Sequence, residues 1–234
     1  MNKYHQEILE EIKKQSSKAK ITKHPEGYSG SSHTSYNLIT PKLRLIIKGW
    51  VTDNRQITLP EFITLLNSLN KGESHTEKSC VGMLVEYLPA LRRQLDPKLL
   101  NTWLDNLVGW AEVDSLCQSN FTAKEMLENW GIWEKLIRSF SKDENISKRR
   151  AGLVLLTGPV GQSDDKRLAD LAFENIDKLK FEKDILITKA ISWLLRSLIR
   201  NHKDRVGKYL RQNLDTLPKI ALRETQRKLL TGKK

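Results

Sequence analysis

Residues 183–200, KDILITKAISWLLRSLIR, decide how the rest of the chain is read. Ile187, Ile191, Leu194 and Leu198 recur at helical spacing and share one side of an α-helix. Lys189, Trp193, Arg196 and Arg200 recur at the same spacing on the other side. The segment therefore predicts an amphipathic helix whose cationic stripe contains a tryptophan. An indole among cations is unfavourable in water unless its ring touches something. One reading is ring contact with nucleic acid, with phosphates held by Lys189, Arg196 and Arg200. The other is packing against the next helix, with Lys and Arg stems lying over the ring. The spacing leaves both open.

The same period extends outward in both directions. PKLRLIIKGW (41–50) follows Thr40, read as its cap, with Pro41 in the first turn. Thr58 and Glu61 have capping-box spacing before FITLLNSL (62–69). HTEKSCVGMLVEYL (75–88), PKLLNTWLDNLV (97–108), EVDSLC (112–117), AKEMLENW (123–130) and GIWEKLIRSF (131–140) follow. KRRAGLVLL (148–156), DDKRLADLAFENID (164–177), DRVGKYLRQN (204–213) and IALRETQRKLL (220–230) complete the series. The breaks are short, and none is long enough to divide domains. The reading is a single all-α domain over residues 1–234, a curved solenoid of HEAT-like antiparallel helical repeats, with one irregular loop at about 22–37 (TKHPEGYSGSSHTSYN). Such a stack offers an extended concave face suited to a rod-like partner.

Charge narrows the partner. The net charge is +12 and the isoelectric point about 9.6, a balance that attracts polyanions, above all nucleic acid. Residues 135–211 carry 18 Lys and Arg against 10 Asp and Glu. No apolar run has membrane-spanning length and no secretory signal is visible, so a cytoplasmic protein associated with the nucleoid is expected. Cys80 and Cys117 lack metal-site spacing, so neither metal nor disulfide is expected. There is no GxxxxGK[ST] phosphate loop, no HExxH, no GxSxG, and no strand before GYSGSS to make it a dinucleotide fingerprint.

Two further segments carry candidate chemistry. Trp110 and Asp114 in VGWAEVDSLC stand four apart and share a helix face. A ring face beside a carboxylate suits a cationic group; a core Trp with a capping or solvated Asp is the alternative. Lys148, Arg149 and Arg150 lie in the first turn of a helix, where the dipole disfavours cations. Phosphate binding explains that placement, and so does a solvated basic turn.

Three of these segments together resemble the AlkD-like family of alkylpurine DNA glycosylases. KAISWLLRSLIRNHKDRVGKYLRQN (189–213) followed by LRETQRKL (222–229) is similar to the family's terminal repeats. WAEVDS (110–115) is similar to its Trp-x-x-x-Asp motif, and NISKRRAGLVLL (145–156) to its arginine-bearing helix. The resemblance implies Trp110 and Trp193 as aromatic walls beside the lesion nucleotide, Asp114 as the catalytic carboxylate, Arg150 on the DNA backbone, and Tyr28 as an active-site tyrosine. The remaining cations, Lys148, Arg149, Lys189, Arg196 and Arg200, are expected on DNA. Three departures stand out: Gly109 where the family often has a second Trp, Leu156 and Thr157 where it can carry a lysine, and the GYSGSSHTS segment, unlike the better-known members.

The implied activity is hydrolysis of the N-glycosidic bond of cationic N3- or N7-alkylated purines in double-stranded DNA, leaving an abasic site. It implies a monomer without a cofactor. Two alternatives remain at this level: a non-catalytic HEAT-repeat protein that recognises damaged or branched DNA, and a protein-interaction scaffold.

Overall fold

The computed structural model describes residues 2–16, 22–23, 30–118 and 120–233. The fold is all-α, as the periodicity predicts, and the chain divides into two compact units, residues 1–116 and 117–234. No helix among the described residues is long and apolar enough to cross a membrane.

The first unit contains α1 (Lys3–Gln15), the strands β1 (Thr22–Lys23) and β2 (Thr34–Ser35), α2 (Thr40–Asp53), α3 (Leu59–Asn70), α4 (His75–Tyr87), α5 (Pro89–Arg92) and α6 (Leu99–Leu104). It ends within α7 (Gly109–Cys117). Helix α1 packs on α2 and α3, and both of these pack on α4. Helix α4 is the centre: every residue from Thr76 to Val85 is buried. Its start is fixed by a capping box in which the Glu77 carboxylate accepts from the Ser74 amide at 2.9 Å. Gly82 has no β-carbon because α7 passes too close: a methyl group there would overlap the Ser115 carbonyl.

The local signals at helix starts are mostly as read. The Glu61 carboxylate accepts from the Thr58 amide at 3.0 Å and from its hydroxyl at 2.7 Å. Helix α2 differs by one residue. Its cap is Ile39, in extended conformation, and Thr40 is already helical. The expected irregular loop also carries structure. Residues β1 and β2 pair antiparallel, Thr22 with Ser35 and Lys23 with Thr34, and Thr34 bridges to Ser74. The Thr76 hydroxyl accepts from the Tyr36 amide at 3.0 Å, so residues 34–36 lie along the start of α4.

The second unit contains α8 (Ala123–Glu128), α9 (Trp130–Phe140), α10 (Ile146–Thr157), α11 (Pro159–Gln162), α12 (Lys166–Leu179), α13 (Ile185–Gln212) and α14 (Lys219–Thr231). Helices α9, α11, α12 and α13 surround α10, and α14 lies on α13. The apolar stripe read from residues 183–200 is the buried one: Ile187, Ile191, Leu194 and Leu198 are all inaccessible. DRVGKYLRQN is a second helical segment, as its separate reading expects. It is set off from the first part of α13 by a kink at His202, whose backbone leaves the helical region (φ −131°, ψ 37°).

Candidate functional site

Helix α7 begins from Gly109, whose φ of 78° lies in the left-handed region. Trp110 follows, half-buried, and Asp114 stands one turn later, 8% exposed. Both residues have interactions within the protein. The rotation of α7 is set from its other face. Glu112, 1% exposed, is about half a turn round the helix from each of them. Its carboxylate accepts from the Val108 amide at 2.8 Å and from Ser31 Oγ at 2.5 Å. His33 Nδ1 lies 2.9 Å from it and His75 Nδ1 3.2 Å. Burial pushes the Glu112 carboxyl up, but the bonds from His75, Ser31, the Val108 amide and His33 outweigh it and hold it at about 2. One turn further, Ser115 Oγ donates to the Ser79 carbonyl of α4 at 3.1 Å, beside the Gly82 contact.

The basic turn of α10 is engaged within the second unit. Asn145 caps the helix by accepting from the Ser147 amide at 2.8 Å. Lys148, 7% exposed, reaches Asp143 at 3.6 Å. Arg149 forks onto Glu182, with Nε 2.8 Å from one carboxylate oxygen, and donates to the carbonyls of Asp143 and Glu144. Arg150, 5% exposed, donates to the Leu186 carbonyl in the first turn of α13. These protein partners explain three cations at a helix N-terminus without a phosphate.

The stripe on α13 divides. Arg196 is drawn in, bonded to the Ser192 carbonyl at 3.1 Å and 3.4 Å from Glu224 of α14. Trp193 is half-buried, while Lys189 and Arg200 are exposed and make no ion pair among the described residues. Tyr28 lies outside the described residues.

Residues 6–229 match the DNA alkylation repair enzyme family. The chain belongs to that family. This gives it a role in the repair of alkylated DNA. Among solved structures it is similar to a predicted DNA alkylation repair enzyme from Enterococcus faecalis, with a TM-score of 0.70 and 14% identity over 97% of this chain and 95% of that one. At that identity the likeness speaks for the fold. No curated protein matches the sequence.

Within this alkylation-repair chain, the family's departure at Gly109 has a backbone reason. A tryptophan there would have to adopt a positive φ, which residues with a β-carbon disfavour. The polar interior of the first unit is what sequence reasoning missed. The histidines read as scattered are not all so: His33 and His75 meet on Glu112, and His5 Nε2 lies 2.9 Å from Glu77. His33 and Glu112 are 79 residues apart, and no local period joins them. The one available signal was Glu112 in the first turn of a helix, where an acid suits the dipole.

Proposed function

We propose that this DNA alkylation repair protein is a monofunctional DNA glycosylase. It hydrolyses the N-glycosidic bond of cationic N3- or N7-alkylated purines in double-stranded DNA and leaves an abasic site. It works as a monomer. The observation that carries the reading is Asp114 one turn from Trp110 on a helix whose rotation is fixed from the opposite face.

Alkylation at N3 or N7 already makes the base a cationic leaving group, so the protein need not protonate it. As the glycosidic bond stretches, positive charge moves onto the sugar. The Asp114 carboxylate stabilises that charge and orients the attacking water. The faces of Trp110 and Trp193 stabilise the cationic nucleotide through their ring quadrupoles. Lys189 and Arg200, exposed and without acid partners among the described residues, hold backbone phosphates. Arg150 is buried on the Leu186 carbonyl and Arg196 is drawn toward Glu224, so their share is to support α13.

The test is release of free base from a duplex carrying 7-methylguanine. Wild type releases it, and Asp114→Asn slows release at least about tenfold while still binding the duplex. An Asp114→Asn variant as fast as wild type would remove the carboxylate from the mechanism. Tight, salt-dependent binding by wild type with no base released would favour the non-catalytic DNA-binding reading.

A further inference from the structure

The Glu112 carboxylate sits where three separate pieces of the first unit converge. Ser31 and His33 come from the segment before α2, His75 is the first residue of α4, and Val108 is the residue before α7. A buried carboxylate is expensive unless its oxygens are bonded. Here both are used: Oε1 faces Ser31, His33 and His75, and Oε2 faces the Val108 amide and the same His33 nitrogen.

The segment 31–36 has a second attachment. Ser35 Oγ lies 3.2 Å from Thr76 Oγ1, the Tyr36 amide donates to that same oxygen, and Thr34 bridges to Ser74. The strand is thus sewn to the start of α4 and to the start of α7 at once. Helix α7 has no comparable freedom elsewhere, because Ser115 bonds Ser79 and abuts Gly82. The first turn, which carries Trp110, is held by Glu112. The second, which carries Asp114, is held by Ser115.

We propose that Glu112 is a positioning residue for the α7 site: its carboxylate, gripped by Ser31, His33 and His75, fixes the orientation of Trp110 and Asp114 required for base release. This rests on the glycosylase reading for its consequence, but not for its geometry. Glu112 does not touch substrate. Loss of its charge leaves two imidazoles and a hydroxyl facing a weaker acceptor, and the first turn of α7 gains rotational freedom.

The experiment uses the full-length protein labelled with 5-fluorotryptophan, with the Trp110 fluorine signal assigned through Trp110→Phe. Glu112→Gln shifts or broadens the Trp110 signal and leaves that of Trp193 unchanged. His33→Ala, which alters a partly exposed side chain and removes only one grip, does the same to a smaller degree. In parallel, base release at saturating duplex falls about tenfold in Glu112→Gln and about threefold in His33→Ala, with duplex affinity within about twofold of wild type. A residue that only stabilises the unit would lower the melting temperature and leave the signal and the single-turnover rate alone. An unmoved Trp110 signal in both folded variants overturns the proposal, as does a moved signal with unchanged release. Should wild type release no base, the glycosylase reading fails by itself. The fluorine signals still decide whether Glu112 orients Trp110.

Discussion

Helices α4 and α10 are the buried centres of their two units, and the balance of charge at their starts differs: acids outnumber the one buried cation, Lys78, at α4, and cations prevail at α10. Each is buried along nearly its whole length and each carries an internal glycine. Around the start of α4 the buried ions include Glu77 and Glu112, held by histidines, hydroxyls and amides. At the start of α10 they are Lys148 and Arg150, with the half-buried Arg149 between them, held by acids and carbonyls. The difference extends to the whole units. Residues 1–116 have 15 Lys and Arg against 13 Asp and Glu, while residues 117–234 have 25 against 15. The first unit uses its polar interior to hold a helix bearing a carboxylate. The second uses its most prominent basic turn to hold itself together, and leaves Lys189 and Arg200 exposed.

Glycine substitutions test the comparison most severely. At Gly82 an added methyl would meet the Ser115 backbone, which has nowhere to go. Gly82→Ala is therefore expected to cost on the order of 3 kcal/mol by displacing α7. At Gly152 the same methyl would lie 3.4 Å from the Ile137 carbonyl and the Phe140 side chain, an ordinary contact. Gly152→Ala should fall within about 1 kcal/mol of wild type, because the added methyl is accommodated and helix propensity favours it. Urea denaturation of the two variants checks the pair, and equal losses would mean that the central helices are held alike.

Acid separates the units next. The folded Glu112 carboxyl sits at about 2, below its ordinary 4.5, so the folded state binds fewer protons than the unfolded one. Its contribution is complete above pH 4.5 and is lost as pH falls through 2, on the order of 3 kcal/mol in all. Glu112→Gln should be destabilised at neutral pH and should lose that part of the acid dependence. A variant with an unaltered slope between those limits would assign the acid sensitivity to other carboxylates.

The cations divide in the same manner. Arg149→Ala removes the fork on Glu182 and the bonds to two carbonyls, and should cost about 1–3 kcal/mol of stability with the salt slope of duplex binding unchanged. Lys189→Ala and Arg200→Ala should leave stability within about 0.5 kcal/mol and each lower that slope by about one. Titration of a duplex at several salt concentrations, beside a melting curve, measures both effects. A lower slope in Arg149→Ala would show that this guanidinium leaves Glu182 for phosphate.

The pattern of success in the sequence has the same physical root. The helices were legible because their signal is local: the apolar stripe of α13 and the Thr58–Glu61 box lie within a few residues of each other. Trp110 and Asp114 could be paired for the same reason. What long-range contact decides could not be read. Arg149 finds Glu182 33 residues away, Ser31 finds Glu112 81 away, and Gly82 is a glycine because of a carbonyl in another helix. The break between residues 200 and 204 was legible, but not its form, a kink at His202 that neither proline nor glycine marks.

That kink supplies the smallest and sharpest contrast. His202 is 8% exposed, and its Nε2 has no hydrogen-bond partner among the described residues. Burial pushes its pKa below the ordinary 6.5 and Arg205 adds to the effect, while Asp164, Asp170 and a bond to the Ser163 backbone oppose it. The folded state therefore binds fewer protons than the unfolded one below pH 6.5, and stability present above that value is lost as pH falls. This loss begins at a pH where Glu112 is still fully ionised, so the second unit should weaken before the first. Replacing the ring by an apolar one of similar size, His202→Phe, removes the proton and the unpaired nitrogen together. It should flatten the decline between neutral and mildly acidic pH with little change at pH 8, as followed by thermal melting. A decline that survives in His202→Phe would move the sensitivity to another group and leave the kink without a role in acid.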